Sequence, residues 1–271
     1  MKIVRFIDQQ GHERLGRDPD AGTAELLEGD LFGDLRGLGE RVAIQRLLAP
    51  LSPRNIFGIG LNYREHALLM GLQVPERPVV FMKPTSTVIG PHDPITLPRV
   101  AAQAPEVDYE CELAVVIGRT ARDVAPGRAL AHVLGYTAAN DVTARHWARA
   151  SRTRGKGFDS FCPLGPVLIT ADEIPNPQRL SLATRLNGVR VQHGNTADMI
   201  FSVAELVSYL SQDTTLLPGT VILTGTPPGS AVTRTPPVYL SDGDQIDVEL
   251  EEVGVLSNPV RAAAERVQAV A

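Results

Sequence analysis

Cysteine is scarce: only Cys111 and Cys162 occur in 271 residues, and they form no CxxC pair. A disulfide framework and a zinc cluster are excluded, and a reducing cytosol is the expected setting. Basic excess is missing as well. With a net charge of -5 and a pI near 5.7, the chain offers nucleic acid no electrostatic footprint, and no block of like charge is long enough to be a tail. No apolar run approaches the roughly 18 residues of a membrane helix. The opening segment Met1–Asp8 loses its apolar character too soon for a secretory signal. These absences point to a cytoplasmic protein with a small-molecule partner, without nucleic-acid or membrane contacts. Phosphate loops, serine-hydrolase elbows and HExxH pairs are missing too. Gly58-Ile59-Gly60 has no third glycine at the required offset and no acid suitably placed about 20 residues on, so it does not mark a dinucleotide site.

What is there is 43% hydrophobic, enough for a packed core in one large domain with a small appendage. Lys2–Ile7 reads as a strand, the Gly- and Asp-rich stretch to Glu40 has weak periodicity, and Val42–Leu48 reads as a short helix ending at Pro50. Pro50-Leu51-Ser52-Pro53 then punctuates the chain, setting a small N-terminal module, 1–52, apart from a main domain, 53–271. Short strands are expected at Asn55–Gly60, Val79–Met82, Glu106–Ile117, Leu134–Asn140, Gly165–Thr170, Leu180–Leu186, Val189–His193, Thr220–Thr224 and Gln245–Glu251. Asn187-Gly188 between two of them is a type I′ hairpin signal. Helices are expected at Arg64–Met70, Gly127–Val133, Thr143–Ala150 and Ser202–Ser211, the last opening on a capping box of Ser202 and Glu205. Strands outnumber helices without βαβ alternation, so the class is α+β and β-rich rather than doubly wound.

Within Glu106–Ile117, Asp108, Glu110 and Glu112 recur at every second position. On a strand they would share one face, roughly 6.6 Å from neighbour to neighbour. One reading is the wet face of a half-exposed strand. The other is a divalent-metal site, because Ala114-Val115-Val116-Ile117 has no polar alternation and carries the strand into the interior. Asp141 either caps the following helix or completes a three-carboxylate set with Glu110 and Glu112. Arg145, Arg149, Arg152, Arg154 and Lys156 form a basic cluster. Each arginine singly suits a solvated surface, whereas Lys156 between two glycines suits close approach to a ligand. His66, on the first turn of a helix after a buried strand, is either structural or a general base beside a metal-bound carbonyl. The loop Thr224–Gly229 is either a Gly-Pro turn or a carboxylate cradle of amides and hydroxyls.

The segments Gly60–His66, Val80–Pro84, Asp108–Gly118, Asn140–Arg145, Gly155–Asp159, Leu186–Gly188, Met199–Ser202 and Leu223–Gly229 together resemble, in order, the fumarylacetoacetate hydrolase family. The likeness runs from about residue 54 to the C-terminus. It implies a mixed β-roll or sandwich catalytic domain, usually assembled as a homodimer. It implies Glu110, Glu112 and Asp141 as ligands of a divalent cation, magnesium first, with manganese or calcium as alternatives. Asp108 stays outside that set, either behind it or merely exposed. His66 and Lys156 are implied as catalytic, and Arg145, Thr226, Tyr63 and Gln192 as substrate-binding. The implied activity is metal-dependent hydrolysis of a C–C bond in an acylpyruvate-type 2,4-dioxo acid through a stabilised enolate, as in aromatic catabolism.

Two departures bear on that activity. Family hydrolases usually carry a glutamate three residues after the histidine, where it orients the imidazole; this chain has Leu69 there, with Glu65 or Glu76 as available substitutes. After Thr-Ala-Arg the family usually has Asp and, two further on, Gln; this chain has His146 and Ala148. Loss of an orienting acid weakens water activation by orders of magnitude, yet it leaves enolate chemistry intact. The alternative is therefore an oxaloacetate-type decarboxylase or a hydroxymuconate-type isomerase. A non-catalytic, metal-stabilised binding protein is the more distant one. Residues 64–75 are expected to act as a mobile lid.

Overall fold

Residues 1–264 are described in this computed structural model. The chain opens with β1 (Lys2–Asp8), β2 (Glu13–Asp20), β3 (Thr23–Gly29) and β4 (Leu35–Leu47). After these come β5 (Asn55–Gly60), α1 (Arg64–Leu69), β6 (Val79–Lys83), β7 (Val88–Ile89), β8 (Ile95–Leu97), β9 (Val107–Asp108) and β10 (Cys111–Ile117). The next stretch holds α2 (Pro126–Ala129), β11 (Val133–Asn140), β12 (Thr143–Ala144), α3 (Arg145–Ala148), α4 (Arg152–Lys156) and β13 (Cys162–Thr170). The last holds β14 (Ser181–Leu186), β15 (Val189–Asn195), α5 (Val203–Leu210), β16 (Thr220–Leu223), β17 (Gln245–Leu250) and β18 (Gly254–Ala262).

Eleven strands make one sheet, in the order β2-β3-β4-β1-β13-β11-β10-β16-β5-β6, with β7 beside β13. A second sheet of five, β15-β14-β17-β18-β8, packs across β10, β11 and β13. This is a strand-dominated α+β architecture, as the sequence pattern implied. β10 lies between β11 and β16, and all its residues are buried. Its lack of polar alternation follows from cover on both faces. Leu113, Val115 and Ile117 join one core with Val203, Leu206 and Val207 of α5, while Ala114 and Val116 join another with Leu164 and Leu168 of β13. Each large apolar side chain so buried contributes about 1.5–3 kcal/mol.

The N-terminal strands continue the main sheet, because β1 hydrogen-bonds β13 in the register Lys2↔Ile169. The segment expected as a helix over Val42–Leu48 is strand as far as Leu47, the end of β4. Val42 and Ile44 stand two apart and pack on the core, Ala43 pairs with Thr23, and Leu47 pairs with Phe6, so long-range pairing overrides the local helical pattern. Gly127–Val133 is not one helix: α2 starts on Pro126, tightens into a 3₁₀ turn over Leu130–His132, and Val133 already begins β11. The hairpin between β14 and β15 has Asn187 and Gly188 both at positive φ, and the Ser202–Glu205 capping box is formed on α5.

Candidate metal centre

The carboxylate segment is not one continuous strand. Asp108 pairs with Thr143 across β9 and β12, whereas from Cys111 onward the chain pairs with β11, so Tyr109-Glu110 lies at a break. The antiparallel register then does the assembling. Cys111 pairs with Asn140, and the Asp141 amide donates to the Glu110 carbonyl at 2.8 Å, which leaves Asp141 level with Glu110 as it exits β11. Glu112 follows two residues along the chain. One oxygen each from Glu110, Glu112 and Asp141 lie within 4.8 Å of one another, all buried. Asp141 caps no helix: α3 starts later, with Ala144 at its cap position, and Thr143–Ala144 is strand.

Asp108 is fully buried and points elsewhere. Its carboxylate accepts from the amides of Tyr109, Ala231 and Val232 and from Arg145 Nε at 2.8 Å. Neither exposed nor in the cluster, it holds Arg145, whose Nη2 also donates to Glu110 Oε1 at 2.5 Å. Lys156 Nζ donates to Glu110 Oε2 at 2.6 Å, Asp141 Oδ2 at 2.5 Å and Thr143 Oγ1 at 2.8 Å. The close approach made possible by Gly155 is to α3, since a Cβ there would stand 2.5 Å from Ala148. Lys83, given no role from the sequence, donates to Asp141 Oδ1 at 2.5 Å and to the Val142 carbonyl at 3.3 Å. Alternation along β6, with Phe81 and Lys83 turned inward, is the signal that marks it.

Among the described residues, four buried carboxylates thus face three cations, and Glu112 is the carboxylate without one. Its Oε2 accepts from the Gly225 amide at 2.6 Å. Gly225 has φ +96° and sits where a Cβ would be 2.7 Å from Asn62 Cβ, so only glycine brings that amide in. The loop Thr224–Gly229 therefore cradles a carboxylate of the protein itself. Burial, then the neighbouring Asp141 and Glu110 charges, push the Glu112 carboxyl well above the usual carboxylate range. Burial acts the same way on Glu110, but Arg145 and Lys156 overcome it and hold Glu110 low. Burial would lower the Lys156 ammonium, yet Asp141 and Glu110 raise it, so it stays charged. Three converging carboxyl groups, one of them without a cationic partner, suit a hard divalent cation.

A cavity of about 250 Å³ opens over the cluster, lined also by Ile59, Gly60, His66, Phe81, Arg145, Arg152, Lys156 and Thr226. His66 is 4% exposed, and its Nδ1 is buried without a hydrogen-bond partner among the described residues. Burial pulls its pKa below 6.5, with Glu110 opposing, which keeps the imidazole neutral.

Residues 55–261 match the family model described as fumarylacetoacetate (FAA) hydrolase, C-terminal. The chain belongs to the fumarylacetoacetate hydrolase family. A human protein named mitochondrial oxaloacetate tautomerase is 45% identical over 218 residues, 79% of this chain and 68% of the relative. A Xenopus laevis protein of the same name is 46% identical over 219 residues, with the same coverage. Among solved structures, a 5-carboxymethyl-2-hydroxymuconate delta-isomerase from Mycobacterium smegmatis superposes with TM-score 0.85 at 36% identity, covering 97% of this chain and 100% of that one. A fumarylacetoacetate hydrolase from Exiguobacterium antarcticum gives 0.83 at 37%, with the same coverage.

Fumarylacetoacetate hydrolase family members in general depend on a divalent metal, and this one carries a buried acidic cluster that suits it. The fold brings His66, Lys156, Arg145, Thr226 and the three carboxylates to one cavity. Gln192 and Tyr63 are not among its lining residues. Gln192 lies behind, donating to Thr226 Oγ1 at 2.9 Å and accepting from the Cys111 amide. Tyr63 is 1% exposed and borders a different hollow, together with Glu65. Glu76 borders a third. Neither glutamate stands in for the missing partner of His66, and Leu69 is 55% exposed. Among the described residues, no helix is long and apolar enough to cross a membrane.

Proposed function

We propose that this chain is a divalent-cation-dependent tautomerase or isomerase of small enolisable 2-oxo acids, rather than the acylpyruvate hydrolase that the sequence resemblance first implied. The observation that carries this is His66, neutral, buried in the cavity wall, and with Nδ1 free of any acidic partner. An imidazole in that setting suits moving one proton between carbon and oxygen. Activating water for attack calls for an orienting acid. The names of the tautomerase and delta-isomerase relatives support the same side.

In the proposed reaction Glu110, Glu112 and Asp141 hold the cation, which when bound would supply Lewis-acid withdrawal of electron density from a carbonyl. Lys156, kept protonated by Glu110 and Asp141, offsets negative charge developing on the substrate oxygen. Arg145, locked by Asp108, steadies Glu110, and Thr226, held by Gln192, offers a hydroxyl to the acid. His66 takes the proton from the carbon beside the carbonyl, and the imidazolium returns it to oxygen. One C–H bond breaks and one O–H bond forms; no water is consumed.

The test follows oxaloacetate with magnesium-loaded protein by enol absorbance and NMR. Faster keto–enol exchange, lost on chelation and in His66→Gln, supports the reading. Cleavage of an acylpyruvate faster than that exchange returns the hydrolase, and pyruvate with carbon dioxide from oxaloacetate returns the decarboxylase.

A further inference from the structure

Four cations line the cavity: Arg145, Arg149, Arg152 and Lys156. Three are committed to carboxylates of the protein. Arg145 serves Asp108 and Glu110, Lys156 serves Glu110 and Asp141, and Arg149 serves Glu106. Arg152 has no acidic partner among the described residues. Its placement follows from α4, since residues four apart on a helix share a face, so Arg152 stands one turn out from Lys156. Its guanidinium lies over the end of β5, where a Cβ on Gly60 would come within 2.5 Å of Nη1. The second glycine of Gly58-Ile59-Gly60, which no nucleotide site explains, thus leaves room for this guanidinium at the cavity. Arg154, two residues further on, packs instead on the rings of Trp147 and Phe158.

We propose that Arg152 is a specificity determinant that selects oxo acids carrying a second carboxylate, held at the end remote from the reacting carbonyl. The inference rests on the oxo-acid reading of the cavity. A planar guanidinium fork matches a carboxylate in a bidentate pair, and a cation without a protein partner is the one free to make it. Lys156, one helical turn inward, is already saturated by Glu110, Asp141 and Thr143. Gly60 is the positioning residue, because any side chain there displaces the guanidinium.

Magnesium-loaded wild type, Arg152→Gln and Arg152→Lys are compared on oxaloacetate and on its 4-methyl ester, which keeps the 2-oxo acid and lacks the second charge. Arg152→Gln is expected to raise KM for oxaloacetate about ten- to a hundredfold, with a much smaller change for the ester and in kcat. Arg152→Lys, which keeps the charge and loses the fork, recovers part of the difference. Gly60→Ala shifts the oxaloacetate KM in the same direction as Arg152→Gln. Equal changes on both substrates, or none on either, overturn the proposal. Should the wild type turn over neither acid, the oxo-acid reading fails, and calorimetry decides Arg152 alone. Succinate affinity that exceeds that of monomethyl succinate in the wild type and falls to it in Arg152→Gln upholds the second-carboxylate contact. Unchanged succinate affinity overturns it.

Discussion

Among the described residues, every buried carboxylate but one on the β10 side of the cavity has a cationic partner, whereas on the α1 side the one titratable group lining the cavity has none. Asp108, Glu110 and Asp141 are pinned by Arg145, Lys156 and Lys83, and only Glu112 is left with a single amide. His66, across from them, has an orphaned Nδ1, and Leu68, Leu69 and Leu72 nearby are exposed. In the proposed reaction, then, the groups that would handle electron density are held by ion pairs, while His66, which a hydrolase would need to activate water, has no such support. Preorganised charge is worth most in a buried site, because it needs no reorganisation as the reaction proceeds.

The largest effect is expected from Glu112→Gln. Removing the one carboxyl of the cluster without a cationic partner is expected to cut magnesium or manganese affinity, read by calorimetry, and enolisation of oxaloacetate together by more than about a hundredfold, beyond the loss usual for outer-shell partners. Full activity in metal-free protein would sink the cation mechanism. Next is Lys83→Met, which leaves Asp141 with half its cationic support in a fully buried site. Such a break costs about 3–5 kcal/mol, checked by urea denaturation, and magnesium should restore part of it by resupplying positive charge to Asp141.

The α1 wall predicts smaller effects. Burial places the His66 pKa below 6.5, so the neutral base persists into mild acid, and kcat/KM should fall only as pH drops through a midpoint below that value. The linkage has the same sign: the unfolded chain binds the extra proton first, so the fold loses stability as pH falls through that range. An acidic limb above 6.5 would mean that a partner acid is raising the imidazole. Smallest of all is Leu69→Glu. At an exposed position it should change stability by no more than about 0.5 kcal/mol. It should raise acylpyruvate hydrolysis, assayed by pyruvate release, while leaving keto–enol exchange as it was. No gain would show that the absence of that glutamate is not what limits hydrolysis.

Much of this protein is local in origin and was legible along the chain. Strand alternation, the Asn187-Gly188 turn and the Ser202–Glu205 box depend on residues a few positions apart, and spacing reports such contacts directly. The same holds for Glu110 and Glu112, two apart beside a run buried on both faces. Tertiary structure decided what distance along the chain conceals. Val42–Leu47 became strand because Thr23 and Phe6 supplied edges to pair with. Asp108, already outside the metal set by the family resemblance, proved buried rather than exposed, because the chain breaks at Tyr109-Glu110 and sends its carboxylate toward Arg145 and the amides of Ala231 and Val232. Lys83 reaches Asp141 across 58 residues. Residue type and spacing along the chain are enough to name the groups able to take part in the proposed chemistry. The fold alone decided which of them are buried together, because the pairing of charges out of water is settled by segments that meet only when the sheet closes.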